Sequence, residues 1–529
     1  MLLLVNTMKY RVPFVLFLCF AGCSATVPKQ FTDEQRLPAI YPDYTDTTIP
    51  PNIAPMNFAV NETGDAFITK ITSETGASIV LSGQTAQIPI KKWKTLLTQN
   101  KGKDLNIDIY VRTQQSWKKF KTIQNRIAEE PLDPYISYRL IEPGYNDYFE
   151  MTINERSVDT FNERMLLQNR LVGQGQCINC HTCQNRRTDK MLFHLREFMS
   201  GTVFVENGRT SKVNLSTKEL FAGCSYPSYH PDSNFVAFSC NNTRQQFYVS
   251  QVRHDNKTFN PKVEVFDAES DLVLYDVNKN EILPVLVTTD DFETFPAWSQ
   301  DGNWLYYACA KPNLSTLPSA YANSYNPNAT EKEKNERRQV RGNWVWTNIT
   351  LFHYNLMRMP FDRQTRKFGK PELVFDAASQ GKSAVFPRSS PSGRYIMFTA
   401  SDCGTFPIWH KEADLWILDT ATGQSRCMDE VNSQDTESFH NWSENGKWFV
   451  FSSRRDDGSY TRLYFAHFDE ETGKASKPFL LPQRDPASNY ALFKSYNLPD
   501  FLVEPVRVSP LTYWNAALKK PQNVSFIKD

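Results

Sequence analysis

Between residues 45 and 126 the chain runs in short apolar–polar alternations. Ala66-Phe67-Ile68-Thr69-Lys70-Ile71, Ser78-Ile79-Val80-Leu81 and Leu105-Asn106-Ile107-Asp108-Ile109-Tyr110-Val111 carry the period of two that marks half-buried strands. Gly64, Gly76, Gly83 and Gly102 punctuate these runs. Short strands at this spacing predict a small Ig-like β-sandwich over residues 44–130. The Pro-rich run 45–58 predicts its entry strand at a sheet edge. Residues 23–43 are polar and Pro-containing and read as a tether. After residue 130 the pattern changes. Val158, Phe161, Met165, Leu166 and Leu167 fall at roughly helical spacing, Gly173 and Gly175 break the run, and Met191–Arg196 predicts a further short helix. Residues 131–200 are therefore expected to be a helical segment.

From residue 201 a repeat appears. Four segments share an aromatic or Pro entry, a small polar turn and an apolar strand: Tyr229–Ser239, Trp298–Ala308, Ser389–Thr399 and Trp442–Ser452. Asp301-Gly302, Ser392-Gly393 and Asn445-Gly446 supply the positive φ of a tight hairpin turn. A second strand pair follows each turn motif, as at Leu272–Val277, Leu415–Thr420 and Leu463–Asp469. Four strands per repeat, stacked radially, predict a β-propeller of five or six blades over 201–510, with a tail at 511–529. Residues 201–218 read as an outer strand pair, and 490–507 as the piece that completes that blade. Residues 311–343 are a long polar insertion whose charge run, Glu331 to Arg341, reads as a solvated face. The repeats resemble the TolB-like propeller family, whose signature is Trp-Ser-Pro-Asp-Gly before an aromatic-rich strand. That resemblance implies the fold and says little about function. The predicted class is thus mostly β: sandwich, short helical segment, propeller.

Composition changes this picture in one direction only. Lys plus Arg number 59 against 58 Asp plus Glu, a net charge of +1, which gives no support to nucleic-acid binding. The one membrane-directed feature is at the start. Lys9 and Arg11 precede the short apolar run 12–22, and Cys23 follows it. This is the layout of a secretory signal peptide, and Met8 could itself begin it. Phe20-Ala21-Gly22-Cys23 resembles a bacterial lipobox. The resemblance implies removal of residues 1–22, a lipid thioether on Cys23 and an outer-membrane lipoprotein facing the periplasm.

The chemistry concentrates at Cys177-Ile178-Asn179-Cys180-His181, which fits the c-type haem attachment pattern. Two thiols at this spacing add to the two vinyl groups of one porphyrin, and the adjacent His ligates the iron. The expected cofactor is a single covalent haem c on Cys177 and Cys180, with His181 proximal. His194 is the candidate distal ligand, and Met191 and Met199 are alternatives. Cys183 extends the run, so zinc, a redox dithiol or a disulfide stay open. Cys403 and Cys427 flank one predicted strand pair and form a candidate bridge. No Gly-x-Ser-x-Gly elbow, phosphate-binding loop or His-Glu-x-x-His helix is present.

The whole resembles a set of Bacteroidetes-type envelope lipoproteins with a TolB-like propeller and one Cys-x-x-Cys-His motif. It does so at Pro134–Arg139, Cys177–His181, Met191–His194, Ser270–Asp276 and Phe451–Arg455. Two functions are expected from these readings. One is a single-haem cytochrome on a propeller scaffold, for electron transfer or redox sensing. The other is a non-enzymatic envelope binding protein with structural cysteines. A haem-carrying maturation factor is a weaker third. Each would have the membrane, through its anchor, and another envelope protein as partners.

Overall fold

The computed structural model describes residues 26–142, 150–172, 175–247, 252–254, 257–259 and 263–528. The signal segment and Cys23 lie outside the described residues. The predicted strands of the first domain form within a residue or two of expectation, as Ala66–Thr72, Ile79–Ser82 and Asp104–Thr113. A seven-stranded and a three-stranded sheet share one core with a helix, Ile90–Gln99, which buries Trp93, Leu96 and Leu97. The strand periodicity did not announce that helix. The expected tether is also shorter than predicted. Thr32–Asp33 and Ile40–Tyr41 already pair into these sheets.

Six sheets follow, and their inner strands pack side by side in a closed ring, making a six-bladed propeller. Blade 1 is built from both ends of the chain. Tyr135–Ile141, Thr152–Ser157 and Glu163–Gln168 are its outer strands, and Ser495–Leu502 is its inner one. Blade 2 is Ile178–Gln184, Arg187–Leu195, Gly201–Glu206 and Arg209–Asn214. Blade 3 runs Cys224–Tyr229, Phe235–Phe247, Val263–Asp276 and Glu281–Leu286. Blade 4 is Phe292–Trp298, Trp304–Ala310, Tyr354–Asp362 and Glu372–Phe375. Blade 5 is Ser383–Ser389, Tyr395–Ser401, Asp414–Asp419 and Ser425–Cys427. Blade 6 is Glu437–Trp442, Trp448–Ser453, Arg462–Asp469 and Phe479–Leu480.

The propeller therefore begins near residue 135, not 201. The segment expected to be helical supplies most of blades 1 and 2. Its apolar residues at helical spacing split between a turn and a strand, with Leu166 and Leu167 buried and Met165 exposed. Residues 201–214 complete blade 2, and the C-terminal strand seals the ring in blade 1, beside Tyr135–Ile141. The tail is ordered too. Gln522–Asn523 and Ser525–Phe526 add parallel strands to the outer edges of blades 2 and 3. The insertion at 311–343 holds a helix, Glu331–Thr347, started by a Thr330/Glu333 capping box. That helix is only partly a solvated face, because Arg337 and Arg341 turn inward onto Glu269 at 2.6 and 3.1 Å. Among the described residues no helix is long and apolar enough to cross a membrane.

Candidate ligand site in the propeller channel

Each inner strand of the propeller carries the same irregularity. Its pairing with the next strand skips two residues, and the first of the two has a left-handed backbone. These residues are Cys180, Tyr226, Phe295, Phe386, Phe439 and Leu498, with φ between 48° and 54°. Such a φ costs a non-glycine residue about 1–2 kcal/mol, so six copies must be held by their surroundings. Aromatic packing does this for most of them. Phe295 stacks on Phe386 at 3.9 Å between centroids and meets Tyr226 edge-on at 4.6 Å, while Phe386 meets Phe439 at 4.9 Å. Phe406, from a loop of blade 5, adds to the cluster. The cluster closes one end of the channel.

The residue after the left-handed one is Pro227, Pro296, Pro387 or Pro499 in four blades and His181 or His440 in the other two. The Cys-His step of the Cys-x-x-Cys-His run is thus one copy of this bulge. Asn179-Cys180-His181-Thr182-Cys183 matches Ser438-Phe439-His440-Asn441-Trp442 and Thr294-Phe295-Pro296-Ala297-Trp298 position by position.

Beyond the aromatic closure lies a cavity of about 170 Å³. It is lined by Cys180, His181, Cys183, Arg186, Arg388, His440 and Asp500, among others, and reaches the hairpin-turn end of the ring at Asn185 and Gln300. His181 is 5% exposed, and neither ring nitrogen makes a hydrogen bond of normal geometry. Burial, helped by the Arg139 charge, holds its imidazole neutral, with a pKa of about 3. His440 is buried and also held at about 3, by burial and by Arg388. Its Nε2 lies 3.0 Å from the Met397 carbonyl and so carries the proton, and the Phe386 backbone also faces the ring. Asp500 accepts from Asn441 Nδ2, and burial pushes its carboxyl up to about 6 against the pull of Arg388 and Arg186.

The predicted haem residues do not converge here. Cys180 and His181 line the cavity. Cys177 is buried in a separate apolar cluster with Ile178, Met191, Phe193 and Tyr513. Met191 belongs to that cluster and accepts from Tyr513 Oη at 3.1 Å. His194 lies on a strand rather than a helix, with Nδ1 3.0 Å from Thr202 Oγ1, and does not line the cavity. Met199, in a short 3-10 turn, packs on the Cys177 cluster. A haem needs both thiols at one porphyrin edge. It also needs far more room, since a cavity of about 150 Å³ holds benzene. The residues therefore do not fit a c-type haem. Cys180 and Cys183 are free thiols, as is Cys427, which accepts from Asn432 and forms no bridge to Cys403.

The repeat of the bulge is the signal that would have found this site. It is visible in the sequence once the Phe-Pro and Phe-His steps are aligned with Cys180-His181.

No family model matches the chain, and no curated protein matches it. Solved structures with related folds include the β-propeller domain of the Trilobed protease from Pyrococcus furiosus, at 9% identity and a TM-score of 0.31, covering 83% of this chain and 98% of that one. Oligogalacturonate lyase from Vibrio parahaemolyticus gives 12% identity and 0.33, over 78% and 100%. Kuenenia stuttgartiensis hydrazine synthase gives 11% and 0.30, over 56% of this chain and 64% of that one. At these scores the propeller assignment rests on the six blades themselves.

Proposed function

We propose that this chain is a non-enzymatic binding protein whose propeller channel receives a small polar ligand. The observation that carries the reading is His181. A buried imidazole that lines a cavity, with the Ser137 backbone near its ring but no hydrogen bond of normal geometry, forgoes part of the about 1–3 kcal/mol that a ligand can restore. The blind aromatic end and the open turn end make the channel a pocket rather than a pore. The signal segment and Cys23 support export and a lipid anchor at the outer membrane, with the propeller facing the periplasm and another envelope protein as its partner.

The test is native mass spectrometry of the chain from residue 24, purified from a bacterial periplasm without denaturation. A small-molecule adduct lost in His181→Trp is expected. No adduct, together with identical thermal-shift profiles for the two proteins across a metabolite panel, would overturn the reading. The same sample, made with haem-maturation machinery present, decides the cytochrome alternative. No c-type α-band is expected in a pyridine haemochrome spectrum, and a band that survives acid acetone would restore that alternative.

A further inference from the structure

Resting on the channel reading, we infer that the ligand is a small oxyanion gripped by Arg186 and Arg388. Arg186 follows the inner strand of blade 2, and Arg388 lies on the inner strand of blade 5. Both are half-buried and line the cavity. Arg186 spends Nε on the Trp442 carbonyl at 2.8 Å, and Arg388 spends Nη1 on the Pro387 carbonyl at 3.0 Å. Among the described residues neither guanidinium forms an ion pair. The acid on this wall, Asp500, accepts from Asn441 and faces both guanidinium groups from beyond ion-pair distance, and Asp133 and Glu444 lie near Arg186. Arg337 and Arg341, which share Glu269, show how the same fold neutralises arginines elsewhere.

Two half-buried guanidinium groups outnumber the one carboxylate on the cavity wall, which leaves that wall net positive. Their remaining N–H donors have the planar fork that grips a carboxylate or phosphoryl group. The histidines beside them are neutral and do not add to the charge. The cavity volume allows a molecule of roughly benzene size. The ligand class is therefore a small carboxylate or phosphate, and not a cation or a hydrocarbon.

Isothermal titration of the chain from residue 24 tests this with three probes: glycolate, its neutral analogue glycolamide, and inorganic phosphate. Glycolate or phosphate is expected to fill one site. Glycolamide, Arg388→Met and Arg186→Met are each expected to weaken binding by about tenfold or more. Arg388→Lys, which keeps the charge and loses the fork, should fall between. Unchanged melting temperatures would show that the variants fold. Tighter glycolate identifies a carboxylate ligand, and tighter phosphate a phosphoryl one. Equal affinity for glycolate and glycolamide, no effect of either Arg→Met change, or no binding of either anion at tens of millimolar would overturn the oxyanion inference. The adduct lost in His181→Trp would stand apart from that outcome, so the channel reading and the oxyanion inference fail separately.

Discussion

His181 and His440 occupy the same position in blades 2 and 6, on either side of blade 1. Each follows a left-handed residue of an inner strand, Cys180 and Phe439, and each turns a neutral ring into the channel. Where four blades use proline, which needs no hydrogen-bond partner for its nitrogen, these two place a buried titratable group.

That placement has a pH signature. In the unfolded chain His181 titrates near 6.5, and in the fold burial lowers it to about 3. Between these values the unfolded state binds more protons. The stability that neutral His181 allows is therefore complete above about pH 6.5 and is lost as pH falls toward 3. Because other buried groups titrate as well, the clean measurement is a difference. Urea unfolding of wild type against His181→Leu should show the wild type falling behind as pH drops below 6.5, by up to about 1.4 kcal/mol per pH unit. A constant difference from pH 7 to 4.5 would mean that the ring is not held neutral.

The tryptophans of the same repeat act between blades. Trp298 Nε1 donates to Ser228 O at 3.1 Å, and Trp442 Nε1 donates to Arg388 O at 3.2 Å. Each indole thus bonds the inner strand of the preceding blade. Trp442→Phe keeps an aromatic ring, though a smaller one, and leaves the Arg388 carbonyl unpaired, which should cost about 1–3 kcal/mol. Trp442→Ala should cost about 3–5 kcal/mol through the cavity it leaves. Chemical denaturation of both variants checks the ranking, and equal losses would place the whole contribution in packing.

The propeller was legible in the sequence because its second strands are. Trp304–Ala310, Tyr395–Ser401 and Trp448–Ser453 are buried almost throughout, and the glycines before them, Gly302, Gly393 and Gly446, take φ of 66–75° as a tight turn requires. Blades 1 and 2 were missed because those marks are absent there. The inner hairpin of blade 2 turns at Asn185-Arg186 without a glycine, and blade 1 is completed only by residues more than three hundred positions away. The haem reading meets a related obstacle. Cys177-x-x-Cys180-His181 has the right spacing along the chain, but an inner strand with a bulge at Cys180 sends Cys177 into the core and His181 into the channel. A spacing motif assumes that its residues share one side, and here the backbone separates them. Arg186 and Arg388 carried no motif, since only closure of the ring brings them to one cavity.

Over the closed end of the channel, His410 joins blades 3 and 5. It lies between Glu264, at 3.1 Å, and Glu412, at 3.0 Å, with its side chain and that of Glu264 fully buried. Against the pull of burial, the two carboxylates push the imidazole up to about 10. The contribution of charged His410 is therefore complete below about pH 6.5 and is lost as pH rises through 10. His410→Gln strands Glu264 and should cost about 3–5 kcal/mol near neutral pH. That deficit should shrink as pH approaches 10, read again as a difference in urea midpoints. A deficit independent of pH would show that the histidine is neutral in the fold.

Ring closure depends on one strand. Ser495–Leu502 brings Phe501 and Leu502, both fully buried, between Tyr135–Ile141 and the neighbouring inner strands of blades 2 and 6. Without it, blade 1 loses its inner strand and the channel loses Asp500. A chain ending at residue 494 should therefore keep blades 3 to 5 but open at blade 1. Limited proteolysis should cut first within residues 135–168, and urea unfolding should lose its single cooperative step. Phe501→Ala in the full chain is the milder probe. It should lower stability by about 3–5 kcal/mol while leaving unfolding cooperative. If the truncated chain instead unfolded in one step with an unchanged midpoint, the strand would be an accessory edge and the closure of the ring would lie elsewhere.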